Sequence, residues 1–109
     1  MENEKIEHGI AFKFAESISY QTEGIVSKRI LQKEKGNITL FAFDHGQKLS
    51  EHTAPFDAIV QVIEGKAEIV IGGKANQVEA GQCIIMPANI PHAVNATERF
   101  IMLLTMIRD

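Results

Sequence analysis

The chain has 109 residues, a formal net charge of -3 and a pI near 5.8. That length predicts one domain with a single core, and the scattered lysines and arginines offer no basic stripe, so a nucleic-acid partner is not expected. Cys83 is the only cysteine, which excludes an intrachain disulfide and favours a reducing, cytoplasmic location. The polar first nine residues do not resemble a signal peptide, and no apolar run is long enough to predict a membrane partner.

The N-terminal third carries no sustained helical periodicity. Residues 15 to 22 could hold one short helical turn. Residues 1 to 35 are otherwise predicted to supply N-terminal strands that pack on the main β-structure or on a partner chain. Residues 36 to 109 are predicted to form that main structure, with one domain overall.

The middle of the chain predicts consecutive β-hairpins. Residues 58 to 63 and 66 to 71 are strand-like and are joined at Glu64-Gly65, where glycine can adopt the positive φ of a tight turn. Gly72-Gly73 then turns the chain into residues 74 to 78. Apolar and polar residues alternate along 66 to 71, which predicts a half-exposed antiparallel strand.

Three other segments are apolar on both faces, namely residues 38 to 43, 83 to 86 and 100 to 106. Both faces of such strands must be buried, and the interior of a barrel buries only one of them. A second sheet or a partner chain must cover the other face. The run 100 to 106 is therefore the predicted homodimer surface. Many short strands with glycine turns favour a closed or double-sheet β-fold, and an immunoglobulin-type sandwich is the weaker rival because the chain has no tryptophan.

Two segments have the spacing of a paired sequence motif. Gly46 is followed by His52 and the segment closes at Gly65, whereas in the second segment Gly81 is followed by Pro87 and then His92. Over residues 36 to 107 the chain resembles the cupin family, and it is identified as a small single-domain member of the cupin 2 conserved-barrel type. The resemblance implies an all-β fold, a double-stranded β-helix or jelly-roll barrel, with His52 and His92 pointing into one pocket from opposite strands.

The resemblance also bears on a cofactor. Complete cupin motifs use three histidines and a glutamate to hold a divalent metal such as Mn, Fe, Ni or Zn, and this chain has Ala54 and Ala58 at two of those positions. His52 and His92 are thus an incomplete metal-ligand set. The shell would need a bound ligand or one of the nearby polar side chains, which are Glu51, Asp57 and Gln61. Strand alternation favours an outward, solvated Asp57.

The remaining chemically capable residues are predicted to be structural. Met86, Met102 and Met106 are interpreted as core, although methionine could also line an apolar cavity. Cys83 is interpreted as an inert thiol among apolar neighbours. His8 and His45 lie outside the motifs and are predicted to be surface residues.

Three functional hypotheses follow, because this fold hosts many chemistries. The first is a small-molecule-binding protein whose barrel takes a polar or acidic metabolite through His52 and His92, without necessary turnover. The second is a metal-dependent oxygenase, isomerase or lyase in which substrate completes the metal shell. The third is a structural cupin without a ligand. Whether the protein is an enzyme is left open by the sequence.

Overall fold

The computed structural model describes residues 5 to 109, and β-strands make up nearly all of the regular structure in that range. A short 3-10 turn, Phe14–Glu16, comes first. The strands that follow are β1 (Ile25–Lys33), β2 (Gly36–Phe43), β3 (Lys48–His52), β4 (Asp57–Glu64), β5 (Lys66–Ile71), β6 (Lys74–Glu79), β7 (Cys83–Met86), β8 (His92–Asn95) and β9 (Phe100–Ile107). Within the described residues, no helix has the length and apolar character needed to cross a membrane.

The strands form two facing antiparallel sheets. One has five strands in the order β1-β2-β9-β4-β7, and the other has four in the order β3-β8-β5-β6. Their inner faces enclose a shared core, as in a jelly-roll barrel. The predicted all-β barrel is confirmed, and the immunoglobulin-type alternative is wrong.

The predicted hairpins are present, and Gly65 shows why one of them needs glycine. Gly65 has φ +79°, and a Cβ added there would lie 2.4 Å from the Arg99 carbonyl oxygen and 3.1 Å from the Phe100 Cα. Any larger residue would push the β4–β5 turn away from the start of β9. The second turn uses Gly72 and Gly73, both with positive φ.

The main core lies between the two sheets. Phe43 and Phe100 are fully buried at its centre, with their rings stacked at a centroid distance of 4.6 Å. Met86 and Met102 are buried in the same cluster, and Met106 packs against it. The interpretation of these methionines as core residues is confirmed.

A second, smaller core covers the outer face of the five-stranded sheet. Leu40, Ala42, Ile101 and Leu103 are buried there beneath Ile18, with neighbouring Phe14 and Tyr20 packed against the cluster. Residues 100 to 103 are therefore buried within one chain, and their prediction as a homodimer surface is wrong. The apolar outer positions of these strands are covered by the chain's own irregular N-terminal segment, which sequence periodicity does not reveal.

Polar contacts hold that segment in place. The Lys28 ammonium donates to the Ser17 carbonyl at 2.9 Å, and the Tyr20 hydroxyl donates to Glu64 at 2.7 Å. Burial and the neighbouring Glu64 carboxylate raise the pKa of Tyr20. The Arg99 guanidinium lies over the Tyr20 ring at 4.3 Å. Among the described part of residues 1 to 35, regular structure is confined to β1 and the 3-10 turn.

The outer face at the opposite edge of the same sheet lacks such cover. Cys83 is exposed, and Ile85 retains 61% of its accessible surface. The expectation that both faces of residues 83 to 86 are covered is therefore wrong for β7 within a single chain. Because β7 is an edge strand, only its inner residues, Ile84 and Met86, reach the core.

Candidate functional site

His52 and His92 lie side by side at one end of the barrel. His52 is the last residue of β3, His92 is the first of β8, and the two are paired in the antiparallel register. Ile71 is paired with His92 on the other side, so the three residues form one row across the four-stranded sheet. The histidines therefore come from adjacent strands of one sheet, and the expectation of opposite strands is wrong.

The two imidazoles are in direct contact. Their ring centroids are 4.4 Å apart with an interplanar angle of 71°, and the two Nε2 atoms are 3.2 Å apart. His92 is buried, with 7% of its surface accessible, whereas His52 is exposed. The structure thus brings together the two residues predicted from the motifs, at the mouth of the barrel where one ring faces the interior and the other meets solvent.

Backbone carbonyls constrain the protons on these rings. The Nδ1 of His52 is 2.8 Å from the Ser50 carbonyl oxygen, and the Nδ1 of His92 is 3.3 Å from the Ile90 carbonyl oxygen. A carbonyl oxygen only accepts, so each Nδ1 must carry the hydrogen for these bonds to form. In neutral rings this assignment leaves both Nε2 atoms as lone pairs facing each other at 3.2 Å. A hydrogen or cation between them is needed to make that contact attractive.

The electrostatics of the free pair oppose an added charge. Burial lowers the pKa of His92, the nearby His52 lowers it further, and the bond to the Ile90 carbonyl raises it in part. The neutral pair is then best satisfied when the longer, weaker Ile90 bond is given up and His92 donates through Nε2 to His52. Two neutral rings carry two N–H hydrogens, whereas the two carbonyl contacts and the contact between the Nε2 atoms need three.

Asn37 and Thr39 are polar residues of the barrel interior that the sequence reading missed. Both have 7% of their surface accessible, and they lie on the same face of β2 as inward-facing Phe41. The Thr39 hydroxyl donates to Asn37 Oδ1 at 3.4 Å, which is long for such a bond. Alternation along residues 37 to 43 could have found them, since the two polar side chains share a face with partly buried Phe41 and buried Phe43.

Topology places this polar pair at the histidine end. β2 begins at Gly36 and runs to Phe43, and the next strand starts at the far end and returns to His52. In the five-stranded sheet, Asn37 is paired with Met106, and Met106 with Ala58. The end of the barrel that carries the histidines thus has a polar wall on β2 beside an apolar wall of methionine and alanine.

The residues present do not complete a metal site. Two nitrogens that bind one metal at adjacent positions, each about 2.1 Å from it, lie about 3.0 to 3.4 Å apart, which matches the histidine pair. Within residues 5 to 109, however, no group of three or more histidine, cysteine, aspartate or glutamate side chains is placed to hold a metal ion. His52 and His92 could supply two ligands, and the others would have to come from outside the chain.

The nearby polar residues considered for that role are placed as follows. Gln61 lies on the outer face of β4, between buried Val60 and Val62, so it cannot reach the pair. Asp57 is exposed, as predicted, and its Oδ1 accepts a hydrogen bond from the Ala88 amide at 2.8 Å, which anchors the loop before β8. Glu51 is exposed beside His52.

The other titratable and cavity-lining groups lie elsewhere. His8 and His45 are exposed, as predicted. Five cavities described within residues 5 to 109 are lined by residues other than His52 and His92, and two of them, of about 440 and 470 Å³, lie along the N-terminal segment and β1. The histidine pair therefore lies at the edge of the main core, with His92 buried and His52 exposed.

Fold and site together define a small jelly-roll barrel with a two-histidine mouth. The model of the Cupin domain family (Cupin_2) matches residues 39 to 107, which is more than half of the chain. The chain therefore belongs to the cupin family, as the motif spacing predicted. No curated protein is significantly similar to it.

Solved structures agree with this assignment. A conserved protein of unknown function from Streptococcus pyogenes, SPY1581, is similar over 98% of this chain and 94% of its own, with 36% identity and a TM-score of 0.92. A Cupin 2 conserved barrel domain protein from Leptotrichia buccalis is similar with 41% identity and a TM-score of 0.86. The match covers 89% of this chain but only 47% of that protein, which is about twice as long.

A more distant likeness shows the fold alone. A salicylate 1,2-dioxygenase from Pseudoaminobacter salicylatoxidans, in complex with gentisate, is similar with 16% identity and a TM-score of 0.72. The match covers 77% of this chain and 25% of that one. The barrel is thus shared by proteins of different size.

Proposed function

We propose that this cupin binds a small acidic metabolite at the barrel mouth, with His52 and His92 as the anchoring groups and with no necessary turnover. The observation that carries the proposal is the 3.2 Å contact between two Nε2 atoms whose partner Nδ1 atoms both face carbonyl oxygens. We retain the predicted cytoplasmic location, which the single cysteine supports.

An acid supplies what the histidine pair lacks. When a carboxylic acid delivers its proton to one Nε2, the other Nε2 accepts the resulting N–H hydrogen bond, and both Nδ1–H groups keep their carbonyl partners. The imidazolium formed then attracts the carboxylate of the ligand by its charge, because all three N–H hydrogens of the protonated pair are already used in the bonds to the two carbonyls and between the rings. Binding therefore couples the uptake of an anion with the uptake of one proton.

The wall opposite the histidines supports a ligand of mixed character. Asn37 and Thr39 offer an amide and a hydroxyl at the same end of the barrel, while Met106 and Ala58 offer apolar contact. The polar groups have only a weak bond to each other, so a ligand hydroxyl or carbonyl can pair with them at little cost. A compact acid with a second polar group and a small apolar body fits this arrangement.

A thermal-shift screen tests the proposal. The probes are malonate, succinate, 2-oxoglutarate, salicylate and gentisate, the last being the ligand in the dioxygenase complex. A probe at ten times its Kd should stabilise the protein by about 1.4 kcal/mol, or roughly 5 to 11 °C in Tm. The shift should vanish in His52→Ala and His92→Ala and persist in His45→Ala, whose exposed histidine lies at the other end of the barrel. Absence of any shift, or a shift that survives both site variants, contradicts the proposal.

A second candidate function is metal-dependent catalysis, and the 3.2 Å separation of the Nε2 atoms is the observation that favours it. His52 and His92 would hold two positions of a divalent metal, and substrate oxygens would fill the rest. Elemental analysis of protein purified without added metal distinguishes the two candidates. About one metal ion per chain, lost in His52→Ala and His92→Ala, would favour the enzyme over the metal-free binding protein.

A further inference from the structure

The N-terminal segment, residues 5 to 20, crosses the outer face of the five-stranded sheet without filling the space beneath it. Two adjoining cavities of about 420 and 470 Å³ lie between the segment and the sheet. They share four wall residues, which are Ile6 and His8 on the segment and Ile30 and Leu31 on β1. Because the walls are shared, one ligand can extend from the first cavity into the second. Volumes of this size are typical of small-molecule sites.

The cavity of about 420 Å³ has a mainly apolar wall. Ile38 and Leu103 line it from the sheet, and Phe12 and Phe14 line it from the segment. Phe12 is 45% exposed and Ile10, which also lines the cavity, is 61% exposed. Large apolar surface therefore borders this space without being buried by the described part of the chain. A concave surface of this kind favours the apolar part of a ligand.

The neighbouring cavity of about 470 Å³ has a cationic wall. Four cationic side chains line it, which are Lys5, Lys28, Arg29 and Lys33. Among the described residues, no aspartate or glutamate lines this cavity, although the whole chain has a net charge of -3. Charges of one sign that gather on a concave surface attract an ion of the opposite sign and raise its local concentration. The charge of this cavity is therefore complementary to an anion.

Lys28 is the buried member of this cationic group. It has 9% of its surface accessible, and its ammonium donates to the Ser17 carbonyl at 2.9 Å. That bond leaves two of its three N–H groups without an acceptor in the described part of the chain. Glu7 and Glu16 lie on the same segment, but both are exposed and neither forms an ion pair with Lys28. Because a buried charge is normally paired, Lys28 is placed to receive an anion.

We propose that the two cavities together bind one medium-chain fatty acid, with its carboxylate at Lys28 and its hydrocarbon tail in the apolar cavity. Lys28 and Ile30 are two residues apart on β1, roughly 7 Å along the strand, so the cation adjoins the apolar wall. The carboxylate is ionised at neutral pH and accepts charge-assisted hydrogen bonds from the free N–H groups of Lys28. The tail buries the exposed surface of Ile10 and Phe12. This site is independent of the acid proposed at the barrel mouth.

Isothermal titration calorimetry with decanoate, at neutral pH and below its critical micelle concentration, tests the carboxylate end of the site. Lys28→Met keeps an aliphatic side chain but removes the charge, and it should weaken decanoate binding by roughly tenfold to a hundredfold. Lys48→Met is the matched control, because Lys48 is an exposed lysine on β3 of the other sheet and should not affect binding. Decan-1-ol has the same tail without the charge and should bind the wild-type protein more weakly by a similar factor.

Phe12→Ala tests the tail end of the site. Phe12 is nearly half exposed, so the far-UV circular dichroism of the variant should remain that of the folded protein, while decanoate binding weakens by about fivefold. His52→Ala should leave decanoate binding unchanged, which separates this site from the barrel mouth. The inference is overturned if decanoate does not bind, if decan-1-ol binds equally well, if Lys28→Met and Phe12→Ala both leave binding unchanged, or if His52→Ala abolishes it.

Discussion

Gly65 fixes the position of the β4–β5 hairpin on the core, and the substitution Gly65→Ala measures how tightly. Alanine at φ +79° costs about 1 to 2 kcal/mol in backbone strain. Its Cβ would also meet the Arg99 carbonyl at 2.4 Å, so the turn must move off the Phe100 backbone at a further cost of about 1 to 3 kcal/mol. The expected total loss of unfolding free energy is about 2 to 5 kcal/mol, a large share of what a domain of this size has.

Gly73→Ala is the matched control for that measurement. Gly73 has a similar φ of +83°, but an added Cβ there meets nothing within 4 Å. It should lose only the strain, about 1 to 2 kcal/mol. Urea unfolding of both variants separates the two terms, and thermal unfolding should show a difference of roughly 4 to 8 °C for each kcal/mol between them. Equal losses in the two variants would refute the steric argument.

Three further predictions concern the site and the N-terminal cover. The pKa of His92 is lowered in the folded protein, so the unfolded chain binds more protons and the stability should fall as the pH drops below about 6.5. Urea unfolding at about pH 8 and pH 5 measures this dependence, and His92→Gln should weaken it. Asp57→Ala should lower the free energy of unfolding, measured in urea, by about 1 kcal/mol, because the hydrogen bond from the Ala88 amide is lost. Glu51→Ala should leave that free energy unchanged. Ile18→Ala should cost about 2 to 4 kcal/mol in thermal unfolding if its buried side chain holds the segment down, and an unchanged Tm would contradict that role.

The barrel was predictable because its signals are local. Glycine at the turns Gly65 and Gly72-Gly73 marks the hairpins, and alternation along β5 assigns its faces. The motif spacing likewise predicts that His52 and His92 belong to one site. These features depend on residues close in sequence or on a pattern of fixed spacing, which a single chain displays directly.

The cover of the outer sheet face was not predictable in the same way. Ile18, Phe14 and Tyr20 come from an irregular segment without a period, so nothing local indicates which sheet face they contact. The exposure of Ile85 depends on β7 lying at a sheet edge, and strand order is a long-range property. The sequence of an apolar strand is the same whether its second face is covered by the same chain or exposed to solvent.

The polar interior of the barrel mouth was missed for a different reason. Asn37 and Thr39 lie at the start of β2, where the apolar residues 38 to 43 dominate the pattern. Their burial depends on the five-stranded sheet closing over the histidine end of the barrel. The hydrogen-bond assignment of the imidazoles depends on the Ser50 and Ile90 carbonyls, whose direction only the folded backbone determines.

The most direct test of the account is nitrogen-detected NMR of protein labelled with ¹⁵N-histidine, recorded with and without the acid that gives the largest thermal shift. The account predicts that the Nε2 signals of His52 and His92 move together on ligand addition, while those of His45 stay where they are. If His52 and His92 respond like the exposed His45, or titrate independently of each other, the two rings do not act as one site and the central claim is contradicted.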